Sequence, residues 1–278
     1  MTKLLTLLSL YPTVRYAAVS VLLVSICAAL LGVMLVLKRY SMIGDGLSHV
    51  AFGTTAIATV LGLTTPIYVT LPLTVIFAVL ILRIKSSSRI GGDSAIAMIS
   101  AASLAFGYLL LNLIPASEAG AASDACTTLF GSGIIGIEGK DVILCICITT
   151  AVLTAYVLFY NKIFSVTFDE DFASATGTRA DLYNTAIAII TATVIVVAMN
   201  TMGALLVSAI ITFPALSAMK LFKTFKKVAV SAAVISAVCA LIGTAISLSL
   251  ATPIGPTVVV ADLAFFLVTC LFGAIKNR

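Results

Sequence analysis

Asp45 and His49, the chain's single histidine, stand four residues apart at the start of a stretch with no Lys, Arg, Asp or Glu from Gly46 to Leu82. On a helix that spacing is ~400° of rotation, so the side chains lie about 40° apart on one face and roughly 6 Å apart along the axis. A carboxylate and an imidazole so placed make half of a site for a divalent transition metal. The competing reading is a buried hydrogen-bonded pair that ties two helices together. An ionised Asp at the centre of a bilayer helix costs roughly 2.5–3.5 kcal/mol, and such residues usually face a cavity, a partner or a substrate. Asp262, within Val258–Leu263, is the other intramembrane acid. It either joins the metal path, pairs with a polar group such as Asn200 or Ser48, or sits protonated in a packed interface.

These residues need elements to hold them, and the composition says what kind. With 61% hydrophobic and 10% charged residues, the chain falls far below the ~25% charge of soluble proteins. Its uncharged runs (16–37, 46–82, 94–117, 142–161, 182–219 and 228–261) are too long for barrel strands and suit helices, which need about 20 apolar residues to cross a bilayer. Three runs must hold two helices each. Breakers divide them at Gly62–Pro66, Asn200–Gly203 and Ala251–Pro256. The expectation is an all-α polytopic membrane protein of about nine spans: 16–37, 43–62, 66–83, 94–115, 141–161, 183–199, 203–220, 228–250 and 257–275.

One set of alternate loops carries thirteen of the basic residues, from Lys38 and Arg39 to Lys276 and Arg278, and the other set only Lys3, Arg15 and Lys140. The positive-inside rule then puts the C-terminus in the cytoplasm and the N-terminus outside, unless residues 1–12 form an interfacial helix. No small-residue cleavage site follows the first apolar stretch, so no removable signal is expected. Five of the six cysteines fall in spans and Cys126 in a loop, with no zinc or redox spacing; packing is the reading preferred. A short helix is expected outside at Leu129–Ile135. Another is expected inside around Phe168–Gly177, with acids at its start and glycine at its end. Pro214 is expected to kink the seventh span. The basic cluster Lys220–Lys227 marks topology and lipid headgroup contact.

Arg39-x-Ser41-Met42-x-Gly44-Asp45-x-Leu47-Ser48-His49 resembles the signature of the membrane permeases of zinc, manganese and iron ABC importers. Three further matches follow in order: Leu129-Phe130-Gly131, then Phe168-Asp169-x-x-Phe172-Ala173-x-Ala175-x-Gly177, then Met202–Ala209 with Pro214-Ala215. The resemblance covers nearly the whole chain as a single permease domain, 1–278, of type II importer-like fold in a prokaryotic cell membrane. It implies a homodimer in the lipid membrane, served by a separate cytoplasmic ATP-binding subunit and an extracytoplasmic metal-binding protein. No stably bound cofactor, catalytic residue or nucleic-acid contact is implied; the divalent ion is cargo. The absence of a G-x-x-x-x-G-K-[ST] loop agrees.

The same resemblance makes residues of about 165–178 a coupling helix seated in a cleft of the ATPase, with Phe168, Phe172, Ala173 and Gly177 as contact positions. It makes Asp45 and His49 metal residues, doubled across a two-fold axis toward the four ligands zinc usually takes. The family usually carries a small or neutral residue where Asp262 stands. Zinc is the first expectation for the cargo, with manganese and iron also compatible. The alternative is a stand-alone secondary divalent-metal transporter, which would carry more intramembrane acids and inverted repeats. An intramembrane metalloprotease is disfavoured, because one histidine cannot make H-E-x-x-H.

Overall fold

The computed structural model describes residues 12–63, 65–87, 92–113, 139–250 and 252–276. The expected outer helix at 129–135, Cys126 and residues 1–11 lie outside them. Among the described residues all regular structure is helical: α1 (Pro12–Leu37), α2 (Ile43–Val60), α3 (Ile67–Ser87), α4 (Gly92–Asn112), α5 (Gly139–Leu158), α6 (Tyr160–Phe168), α7 (Glu170–Ala175), α8 (Ala180–Met202), α9 (Ala204–Leu221), α10 (Phe225–Leu250) and α11 (Ile254–Lys276).

The nine long helices follow the nine runs read from sequence. Only seven of the described helices, however, are long and apolar enough to cross a membrane by length and composition. α2 drops out because Asp45, His49, three glycines and three threonines dilute its apolar character. α3 counts here only as Ile67–Ile81 among the described residues. The exact count of nine spans is therefore not confirmed.

Glycine sets how closely these helices approach. A Cβ on Gly32 of α1 would stand 2.0 Å from the Ile211 carbonyl oxygen of α9, so the two backbones touch directly. A Cβ on Gly53 of α2 would meet the Ser103 carbonyl oxygen of α4 at 2.7 Å. Small residues serve membrane helices in this way, because close backbone packing replaces the hydrophobic drive that lipid cannot supply. Hydroxyls add to it between α2 and α3, where Thr55 meets Thr70 at 3.2 Å and Thr54 meets Thr74 at 3.5 Å.

Three helix ends share one termination. Gly62 after α2 and Gly177 after α7 have φ of +68° and +82°. In each the next amide reaches back to a carbonyl five residues earlier, Leu63 to Ala58 and Thr178 to Ala173. This Schellman closure satisfies carbonyls the helix leaves open. α1 ends the same way, with Tyr40 N–H donating to the Leu35 carbonyl at 2.8 Å, but Arg39 occupies the left-handed position at φ +62°. Leu35 and Tyr40 join the same buried cluster, the apolar contact that accompanies this motif.

Candidate metal path and inner coupling surface

The α1–α2 elbow delivers Asp45 into the first turn of α2, where the positive end of the helix dipole favours a carboxylate. One turn on, His49 Nε2 lies 3.5 Å from Asp45 Oδ1, as the i, i+4 spacing requires. The same Oδ1 accepts from Ser208 Oγ of α9 at 3.4 Å. Side-chain exposure is 46% for Asp45 and 22% for His49. Neither is sealed in the core, although His49 Nδ1 is buried without a partner. The pair therefore faces outward from the packed chain. Ser208, and with it Asp45, lies roughly 18 Å along α9 from Lys220 at 1.5 Å per residue.

Among the described residues, no three His, Cys, Asp or Glu side chains come together as one metal-binding group. Asp262 stands apart from the pair. It is 2% exposed on α11, and neither carboxylate oxygen finds a hydrogen-bond partner. The Cys239 thiol of α10 lies alongside it. The partners suggested by sequence are engaged elsewhere or turned away: Ser48 Oγ donates to the Asp45 carbonyl at 2.8 Å, and Asn200 is exposed.

On the inner side, the helix expected around 165–178 is two short ones, α6 and α7, meeting at Asp169. Asp169 caps α7 by accepting from the Phe172 amide at 2.8 Å. Phe168 and Phe172 are 58% and 61% exposed. Phe168 leans on Phe164 and Phe225 at ring-centroid distances of 4.8 and 6.0 Å. Ala173 instead turns inward and is fully buried with Val166 and Ala180, fastening α7 to the chain's own body. Gly177 supplies the left-handed closure.

Sequence reasoning did not find what ties α7 to the rest. Glu170 accepts from Asn184 Nδ2 of α8 at 2.7 Å and pairs with Lys38 Nζ at 3.8 Å; Lys38 also donates to Asn184 Oδ1. Burial pushes the neighbouring Tyr40 phenol up to about 12, with the Glu170 carboxylate adding to the effect. Tyr40 stays neutral at any physiological pH. Glu170 thus ties α7 to Lys38, beside Arg39 at the elbow that leads into α2. Ser208 was also missed as a partner of Asp45, although it lies within the Met202–Ala209 motif.

Among the described residues, helices long and apolar enough to cross a membrane thus flank a partly exposed acid–imidazole pair, with a short capped helix exposed at one end of the bundle. This is the build of a multi-span membrane protein. The chain belongs to the ABC 3 transport family, whose model matches residues 10–273. It is 26% identical over 262 residues to the manganese import system permease protein ScaB of Streptococcus parasanguinis, covering 94% of this chain and 91% of that protein. It is likewise 26% identical over 267 residues to the chelated iron transport system membrane protein YfeD of Yersinia pestis, covering 96% and 87%. Among solved structures it resembles PsaBC from Streptococcus pneumoniae in complex with Fab. The TM-score is 0.84 at 25% identity, over 96% of this chain and 94% of the other.

Proposed function

We propose that this chain is the transmembrane subunit of an ATP-driven importer of divalent transition-metal ions, acting as a homodimer with Asp45 and His49 on the ion's path. The observation that carries this reading is the pair itself, ligand-competent and partly open within a bundle of membrane-length helices. A single chain supplies two metal-ligating side chains there. A two-fold axis beside α2 would bring two carboxylates and two imidazoles together. Oxygen and imidazole donors suit manganese(II) and iron(II) as well as zinc. The names carried by ScaB and YfeD favour the first two over the zinc expected from sequence.

An extracytoplasmic binding protein hands the ion to the outer mouth, and a cytoplasmic ATPase drives the change of access. α7 is the contact with that ATPase. Exposed Phe172 enters its cleft, while Ala173 and Glu170 hold α7 to this chain. Through Glu170 and Lys38, displacement of α7 pulls on the elbow that aims Asp45. Asp262 has a packing role between α10 and α11 and lies off this path.

The deciding experiment is metal uptake by the assembled importer with Asp45→Asn and His49→Gln. Both changes keep hydrogen bonding but give poor metal ligands. Uptake falls by more than roughly tenfold in each if the residues ligate. Near wild-type uptake at normal expression would leave only the structural pair. Competition of manganese, iron and zinc against a radioactive manganese tracer ranks the cargo.

A further inference from the structure

A groove of about 660 Å³ opens on the membrane-facing side between α1, α5 and α10. Its walls are almost wholly apolar, from Ile26 and Leu30 on α1, Leu153 and Val157 on α5, and Ala233 and Ala237 on α10. Its polar residues gather at one end, where Asn161 and Lys226 stand at the starts of α6 and α10. From Lys226 to Ala237 is roughly 16 Å along α10, close to half of the ~30 Å hydrocarbon core. The groove thus begins among the inner basic residues and runs the depth of one leaflet.

Tyr156 also lines it, 7% exposed, with its Oη buried and without a hydrogen-bond partner. Its ring, tilted against that of Tyr160 at a centroid distance of 6.3 Å, adds to the apolar wall.

We propose that this groove is a binding site for one anionic phospholipid of the inner leaflet. An acyl chain fills the apolar slot, and the phosphate sits between Asn161 and Lys226. The charge fits the place. The inner surface is rich in anionic lipid and a lysine near it gains from that field. The chain length fits the groove. This reading does not depend on which ion is carried.

The test is native mass spectrometry of the purified full-length protein with added phosphatidylglycerol or phosphatidylcholine of matched chains. The wild type should retain one phosphatidylglycerol per chain, favoured by roughly fivefold or more, as one lysine near a charged surface implies. Lys226→Glu should erase the headgroup preference while lipid is still retained. Ala233→Trp should fill the slot and lose both lipids. Lys223→Glu, equally exposed but outside the groove, should behave as wild type. Unchanged occupancy and preference in Lys226→Glu overturn the proposal, even if Ala233→Trp fails to fold. Loss of the dimer mass in Ala233→Trp would show that a second copy of the chain covers this groove, and would overturn it as well.

Discussion

Arg39 holds a conformation that glycine holds at the ends of α2 and α7. For an L-residue the left-handed region costs roughly 1–2 kcal/mol. The strain persists because the Tyr40-to-Leu35 hydrogen bond, buried Tyr40 and the Lys38–Glu170 pair fix the elbow. Arg39→Gly should therefore raise the thermal stability of the detergent-solubilised protein by about 0.5–1 kcal/mol. Arg39→Val should lower it by more, since a β-branched residue fits that region worst. Thermal melts of the two variants against wild type check both signs. The sequence discloses Asp45 and His49 because their spacing is local and one histidine in a charge-free setting stands out. It conceals Ser208, 163 positions away from Asp45, since only the fold joins α9 to α2. Arg39 is hidden for a related reason: glycine announces a left-handed turn and arginine does not.

At the scale of elements, α7 is six residues long and cannot stand on its own propensity. Asp169 caps it, Gly177 closes it, and Ala173 seats it. Phe172 contributes nothing to that seating and is left for a partner. Phe172→Asp should leave the chain folded in the membrane yet sharply reduce copurification of the ATPase, because a charge would enter an apolar contact. Normal copurification together with normal transport would remove α7 from the coupling role.

The Glu170 link is tested separately, since it acts on the near side of α7. Glu170→Lys sets two cations together beside Asn184 and should lower ions moved per ATP without loss of assembly. Adding Lys38→Glu should restore it, with a coupling in the double-mutant cycle of about 0.5–1 kcal/mol, modest because Glu170 is half-exposed. The acids-first, glycine-last pattern made α7 legible in sequence. Which face it shows was not, because alanine and phenylalanine in a six-residue helix carry no clear periodicity. The resemblance counts Ala173 among the contact positions, and only the fold shows it packed against Val166 and Ala180.

At the scale of the molecule, this chain carries no phosphate-binding loop, so purified alone in liposomes it should neither hydrolyse ATP nor concentrate metal. Concentrative uptake by the lone chain would revive a gradient-driven carrier. The helices were legible because each is an apolar run ended by a breaker. The number that cross was not, because α2 gives up apolar character to hold Asp45 and His49. The close backbone contact at Gly32 has one more consequence. It welds α1 to α9, and α9 packs on α11 as α10 does on α1, so these four behave as one block. α2, α3 and α4 form another, and their glycine and threonine contacts resist sliding. Asp45 belongs to one block and Ser208 to the other. On the proposed path the ion rests at the seam between the two helix groups, and its stay depends on how readily that seam opens.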